Sequence, residues 1–175
     1  MNDSEQLFSK ISCFVFDVDG VLTDGTVLAL ASGEQARRFN IKDGYGIERA
    51  LLANYHVAII SGGNQEGVRK RLEFLKIKHI HLGVKEKVAV LNNLCENLGI
   101  TLSQVAYVGD DLPDYEVMQL VGLPCCPADA TEEVKAISKL ITKEKGGNGC
   151  VRAIIEAVMK SQNTWRKFSN ENINN

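Results

Sequence analysis

Short apolar runs alternate with helix-length segments along most of this chain, and that alternation constrains the fold more than any other feature. The runs lie at residues 11–16, 56–60, 78–82, 104–108 and 122–125. Helix-length segments at 43–53, 64–75, 84–98 and 112–120 stand between them. Val57-Ala58-Ile59-Ile60 and Val105-Ala106-Tyr107-Val108 are apolar without interruption, as strands covered on both faces must be. The pattern predicts βαβ units, hence an α/β fold with a parallel sheet and helices on both faces.

One segment breaks the rhythm. Residues 26–30 and 34–39 flank Ala31-Ser32-Gly33, which reads as a β-hairpin turning at Gly33, directly after the first strand where a helix is expected. The last helix is followed by a polar stretch, so residues 1–160 are expected to form one domain and 161–175 a flexible tail carrying Trp165. A chain of 175 residues is long enough to bury about two-thirds of its unfolded surface without staples. Its five cysteines form no C-x-x-C pair and read as buried free thiols in a reducing compartment. The opening residues have no apolar core, and no run reaches the roughly 18 residues of a membrane span, so a cytoplasmic protein without a membrane partner is expected. With 20 Lys+Arg against 22 Asp+Glu, the net charge of −2 lacks the basic footprint of a nucleic-acid binder.

In open α/β sheets the ligand site lies beyond the carboxyl ends of the strands. Asp17-Val18-Asp19-Gly20 follows the first run, Ser61-Gly62-Gly63-Asn64 the second and Gly109-Asp110-Asp111 the fourth. A near-extended chain points Asp17 and Asp19 the same way. Carboxylates crowded at one edge cannot all ionise without a cation, and an all-oxygen ligand set suits Mg²⁺. Phosphoryl transfer fits such a site. Asp17 is the candidate nucleophile, and Asp19, able to swing on Gly20, the candidate acid and base. Ser61 with the Gly62 and Gly63 amides would meet the phosphate charge at the start of a helix. A lysine is also needed, and spacing alone leaves Lys85 and Lys87 equal.

These pieces, in this order, resemble the haloacid dehalogenase superfamily of aspartate-nucleophile phosphatases. The resemblance places the lysine motif on Lys87 and the acidic motif on the 109–114 segment. FDVDGVLTDG, FNIKDGYGI, YVGDDLPDYEVM and KGGNGCVR narrow the resemblance to the 3-deoxy-D-manno-octulosonate 8-phosphate phosphatases, over about residues 10–160. It implies a Rossmann-like, capless domain, since only about 44 residues separate Asp17 from Ser61 and about 26 separate Ser61 from Lys87. It further implies a homotetramer packed through the hairpin, with Gly146-Gly147 near the site. By the same resemblance, Mg²⁺ is held by the Asp17 carboxylate, the Asp19 carbonyl and Asp110, with Asp111 and Asp114 in support. Lys42 and Arg152 are weaker candidates for substrate contact. The implied substrate is a small sugar-acid phosphate serving lipopolysaccharide sugar synthesis.

Gly63 stands where many relatives carry an Arg or Glu that tracks the sugar, which leaves a nine-carbon deoxynonulosonate 9-phosphate as the alternative substrate. A receiver-like or phosphosugar-binding module is the remoter alternative. A receiver needs a phosphoacceptor Asp at the end of the third strand, where this chain has His79-Ile80-His81-Leu82-Gly83.

Overall fold

The computed structural model describes residues 3–165. Eight strands and seven α-helices follow one another in it: α1 (Asp3–Phe8), β1 (Cys13–Phe16), β2 (Leu28–Ala29), β3 (Gln35–Ala36), α2 (Ile41–Leu52), β4 (His56–Ile60), α3 (Glu66–Phe74), β5 (His79–His81), α4 (Lys87–Leu98), β6 (Val105–Val108), α5 (Leu112–Leu120), β7 (Leu123–Cys126), α6 (Glu132–Ile137), β8 (Leu140–Ile141) and α7 (Cys150–Ser161). All the expected runs contain strands.

Six strands form one parallel sheet in the order β5-β4-β1-β6-β7-β8. The central strand β1 pairs Cys13 with His56 of β4 on one side and with Val105 of β6 on the other. Side chains alternate across such a strand. Phe14 and Phe16 therefore enter the core beneath α2 and α7, while Cys13 and Val15 enter the core beneath α4 and α5. Both phenylalanines are fully buried, worth roughly 1.5–3 kcal/mol each relative to exposure. The strand order reverses at β1, so the crevice at the carboxyl end of β1 is the topological switch point.

The hairpin is a separate two-stranded sheet, β2 against β3, closed by Gly33 N–H donating to the Leu30 carbonyl at 2.9 Å. Val27, Leu28 and Leu30 on it are exposed. Three elements, α1, α6 and β8, have no counterpart in the sequence-based expectation. The stretch that holds α6 and β8 is short and carries no apolar run of strand length. Pro124 lies inside β7, between β6 and β8, although proline is expected at sheet edges; β8 beside it is only two residues long.

The expected tail over 161–175 falls partly on residues 166–175, which lie outside the described residues. Its beginning packs against the body of the domain. Gln162 donates to the Phe8 and Ile11 carbonyls, both at 2.7 Å, and Arg49 donates to the Trp165 carbonyl at 3.0 Å. The Arg152 guanidinium lies 5.0 Å from the Tyr45 ring centroid and 4.7 Å from that of Trp165. Trp165 thus anchors the chain on its own domain through stacking on a cation.

Candidate active site

Asp17 continues β1 by one residue, its N–H donating to the Val108 carbonyl at 3.0 Å. Its Oδ1 accepts from the Val18 N–H at 2.6 Å and its Oδ2 from Lys87 Nζ at 2.9 Å. Lys87 opens α4 and is 6% exposed. Its ammonium also donates to Asp114 Oδ1 at 2.7 Å, and that oxygen takes the Tyr107 hydroxyl at 2.8 Å. Asp114 Oδ2 accepts from the Asp110 N–H at 3.4 Å. A buried lysine between two carboxylates, one of them braced by a tyrosine, is a network whose members hold one another in place.

Asp17, Asp110 and Asp114 each bring an oxygen within 4.8 Å of the others. Burial first, then the Asp114, Asp17 and Asp111 charges, pushes the Asp110 carboxyl up to about 7 against the pull of Lys87. Burial, then Asp17, raises Asp114 as well. For Lys87, burial disfavours the ammonium, but Asp114 and Asp17 more than offset it and hold its pKa above the ordinary value. One ammonium therefore does not neutralise this group. Three close carboxylate oxygens with surplus negative charge fit a small, hard divalent cation. The Asp19 carbonyl accepts no hydrogen bond from the described residues.

Gly20 shapes the turn. Its φ is +78°, and a Cβ there would collide with the Asp110 carboxylate. From the other side the 146–149 loop closes on the same turn. Gly147 N–H donates to the Val21 carbonyl at 2.9 Å, and a Cβ on Gly147 would lie 2.5 Å from Asp24 N. Asp43 of α2, almost fully buried, accepts from the Gly149 N–H at 3.1 Å and the Arg152 N–H at 2.7 Å. It serves as a cap for α7 supplied by another helix, and burial raises its pKa.

Asp19 does not join the three clustered carboxylates. Its side chain accepts both Nε and Nη2 of Arg37, at 2.9 and 3.2 Å, from the far side of the hairpin. Ser61 is buried after β4, and Gly63 sits close enough to Asp19 that a Cβ on it would lie 3.4 Å from Asp19 Oδ2. The helix expected at Ser61-Gly62-Gly63 begins only at Glu66. These amides belong to a loop, tied by Gly83 N–H donating to the Gly63 carbonyl at 2.9 Å.

Not every expected residue converges. Lys85 is exposed in the loop before α4. Asp111 is exposed and caps α5 through the Leu112 N–H at 2.7 Å, contributing only charge to Asp110. Lys42 is exposed at the start of α2, its backbone N–H donating to Asn40 Oδ1 at 2.8 Å and its ammonium bonding none of the site residues. Arg152 is committed to Glu156, Tyr45 and Trp165. Three residues absent from the sequence reading do enter the site or brace it: Arg37, Asp43 and Tyr107. A tyrosine inside a fully buried strand was the available signal, because its hydroxyl requires a partner.

A family model for haloacid dehalogenase-like hydrolases matches residues 80–154. The 3-deoxy-D-manno-octulosonate 8-phosphate phosphatase KdsC of Salmonella typhi is 40% identical over 153 residues, 87% of this chain and 81% of that protein. The crystal structure of 3-deoxy-D-manno-octulosonate 8-phosphate phosphatase from Yersinia pestis superposes with a TM-score of 0.93 at 34% identity, covering 95% of this chain and 90% of that one. That of the Moraxella catarrhalis enzyme, in complex with magnesium ion, phosphate ion and KDO, does so with a TM-score of 0.91 at 36% identity, covering 94% and 95%. Kinship over nearly the whole length agrees with an acidic edge built from the ends of β1 and β6, and on that footing the chain belongs to the 3-deoxy-D-manno-octulosonate 8-phosphate phosphatase family of haloacid dehalogenase-like hydrolases.

Proposed function

We propose that this chain is a Mg²⁺-dependent phosphatase that hydrolyses 3-deoxy-D-manno-octulosonate 8-phosphate to the free sugar acid and phosphate. One observation carries the reading: Asp17, at the switch point, is held by a buried lysine within reach of two further carboxylates. In the first step an Asp17 carboxylate oxygen bonds to phosphorus while the bond from phosphorus to the sugar oxygen breaks, and Asp19 gives that oxygen its proton. In the second, water attacks phosphorus and passes a proton to Asp19, releasing phosphate and restoring the Asp17 carboxylate. Lys87 fixes the attacking carboxylate and faces the transferred negative charge, with Ser61 and the Gly62 and Gly63 amides as further donors. Asp17, Asp110 and the Asp19 carbonyl would hold Mg²⁺, which supplies charge neutralisation at the phosphate. Lipopolysaccharide sugar synthesis in the cytoplasm is the setting this reading implies, and five buried free cysteines suit a reducing compartment.

The test is phosphate release from the eight-carbon and nine-carbon sugar-acid phosphates side by side, with Mg²⁺ and with EDTA. An EDTA-sensitive preference for the eight-carbon ester is expected. Preference for the nine-carbon ester keeps the chemistry and changes the substrate; no release from either, nor from a generic ester, refutes the enzyme reading. Assembly as a homotetramer through the hairpin is part of the proposal, supported by Val27, Leu28 and Leu30 standing exposed there. Light scattering is expected to give the mass of four chains.

The crowding at Asp110 also has a measurable consequence. A carboxyl raised from 3.8 to about 7 on folding contributes stability that is intact at low pH and lost as pH rises through about 7. Metal-free protein is expected to melt lower at about pH 8 than at about pH 5. Mg²⁺ is expected to raise Tm by about 5 °C at the higher pH and by less at the lower. A Tm indifferent to Mg²⁺ at the higher pH counts against the metal site.

A further inference from the structure

Between the hairpin and the start of α3 lies an open cleft of about 700 Å³, lined by Arg37, Phe39, Gln65 and Arg71 among others. Arg37 joins this cleft to the reaction site, because the same guanidinium grips Asp19. The hairpin strands are otherwise exposed, yet the Arg37 side chain is only 5% exposed. An arginine stays charged under all ordinary conditions, so burying it there places a fixed cation at the border of the site.

Its donors are only partly used. Nε and Nη2 donate to the two Asp19 oxygens, and Nη1 donates to the Gln35 carbonyl at 2.9 Å. Nη1 and Nη2 each carry a second N–H with no partner among the described residues. Nη1 and Nη2 are the nitrogens through which a guanidinium meets a carboxylate end-on and bidentately. Arg71, which makes no ion pair among the described residues and lies 5.5 Å from the Phe74 ring centroid, puts a second cation on the same cleft. Neither cation is needed for the phosphate, whose donors are Lys87, Ser61 and the loop amides.

We propose that Arg37 is a specificity-determining residue: while one edge of its guanidinium holds Asp19, the other binds the carboxylate of the substrate in this cleft. The proposal rests on the sugar-acid reading above and deepens it, since only a substrate with both a phosphate and a carboxylate engages both groups. It also gives the hairpin a part in choosing the substrate.

The experiment compares kcat/KM for 3-deoxy-D-manno-octulosonate 8-phosphate with that for a sugar phosphate of similar size lacking the carboxylate. It uses the intact protein, Arg37→Gln and Arg37→Lys. Loosening Asp19 lowers both substrates together, so their ratio isolates the carboxylate contact. The ratio is expected to fall about tenfold or more in Arg37→Gln, the loss of a charge-assisted hydrogen-bonded pair. It should recover in part in Arg37→Lys, which keeps the charge without the fork. A ratio unchanged in both variants overturns the role of Arg37 while leaving the substrate reading intact. A ratio near one in the unaltered protein overturns the substrate reading, and the proposal with it.

Discussion

Replacing Asp17 with Asn is expected to lower kcat by at least about 10⁴-fold while the protein still folds. An amide does not form the acyl phosphate, and no neighbour is placed to take over. Asp114 is 1% exposed with both oxygens engaged, and the Asp110 carboxylate packs against Gly20. The structural cost is local. The introduced side-chain amide would satisfy either the Val18 N–H or Lys87, but not both, because one of its two heads is itself a donor. Lys87 keeps Asp114 at 2.7 Å in either case. The change also removes one of the charges that raise Asp110, so the metal-free variant should lose less stability with rising pH than its parent. The measurement is single-turnover release with acid quench: the parent accumulates acid-stable label on the chain and the variant does not. Turnover within about 100-fold of the parent would mean that Asp17 is not the nucleophile.

The acidic edge was legible because of how parallel sheets are made. Strands buried on both faces are continuous apolar runs, and their carboxyl ends share one edge, so the residues after 11–16, 56–60 and 104–108 converge without any knowledge of register. Choices that depend on helix phase were not legible from spacing. Lys85 and Lys87 differ only in that α4 begins at the second, which turns one into the loop and the other into the core. Asp111 and Asp114 look alike in sequence, yet the first caps α5 from outside and the second lies inside its first turn, facing Lys87. Arg37 and Asp43 escaped for a different reason. Their partners lie 18 residues away for Arg37, and 106 and 109 residues away for Asp43, in segments whose meeting only tertiary packing decides.

Removing the Lys87 ammonium is the second large effect. Lys87→Ala is expected to lower kcat about 10³-fold, the scale of deleting one preorganised electrostatic partner of the reacting group. Lys85→Ala should stay within about twofold. Stability falls too, because Asp17, Asp110 and Asp114 then share a space of 4.8 Å without the cation that bonds two of them. Breaking a buried pair by removing one member costs about 3–5 kcal/mol, and Mg²⁺ should restore part of that loss. A loss of activity could therefore reflect unfolding alone, and a second change separates the two. In Lys87→Met with Asp114→Asn, methionine fills the lysine channel and one of the crowded charges is gone. That double variant should regain most of the melting temperature, because the uncompensated charge that destabilised the single variant is reduced. It should not regain kcat, because only the Val18 N–H then holds the Asp17 carboxylate and the transferred phosphoryl group has lost its ammonium. Recovery of both would mean that Lys87 serves only to neutralise Asp114, and that the attack at phosphorus proceeds without it.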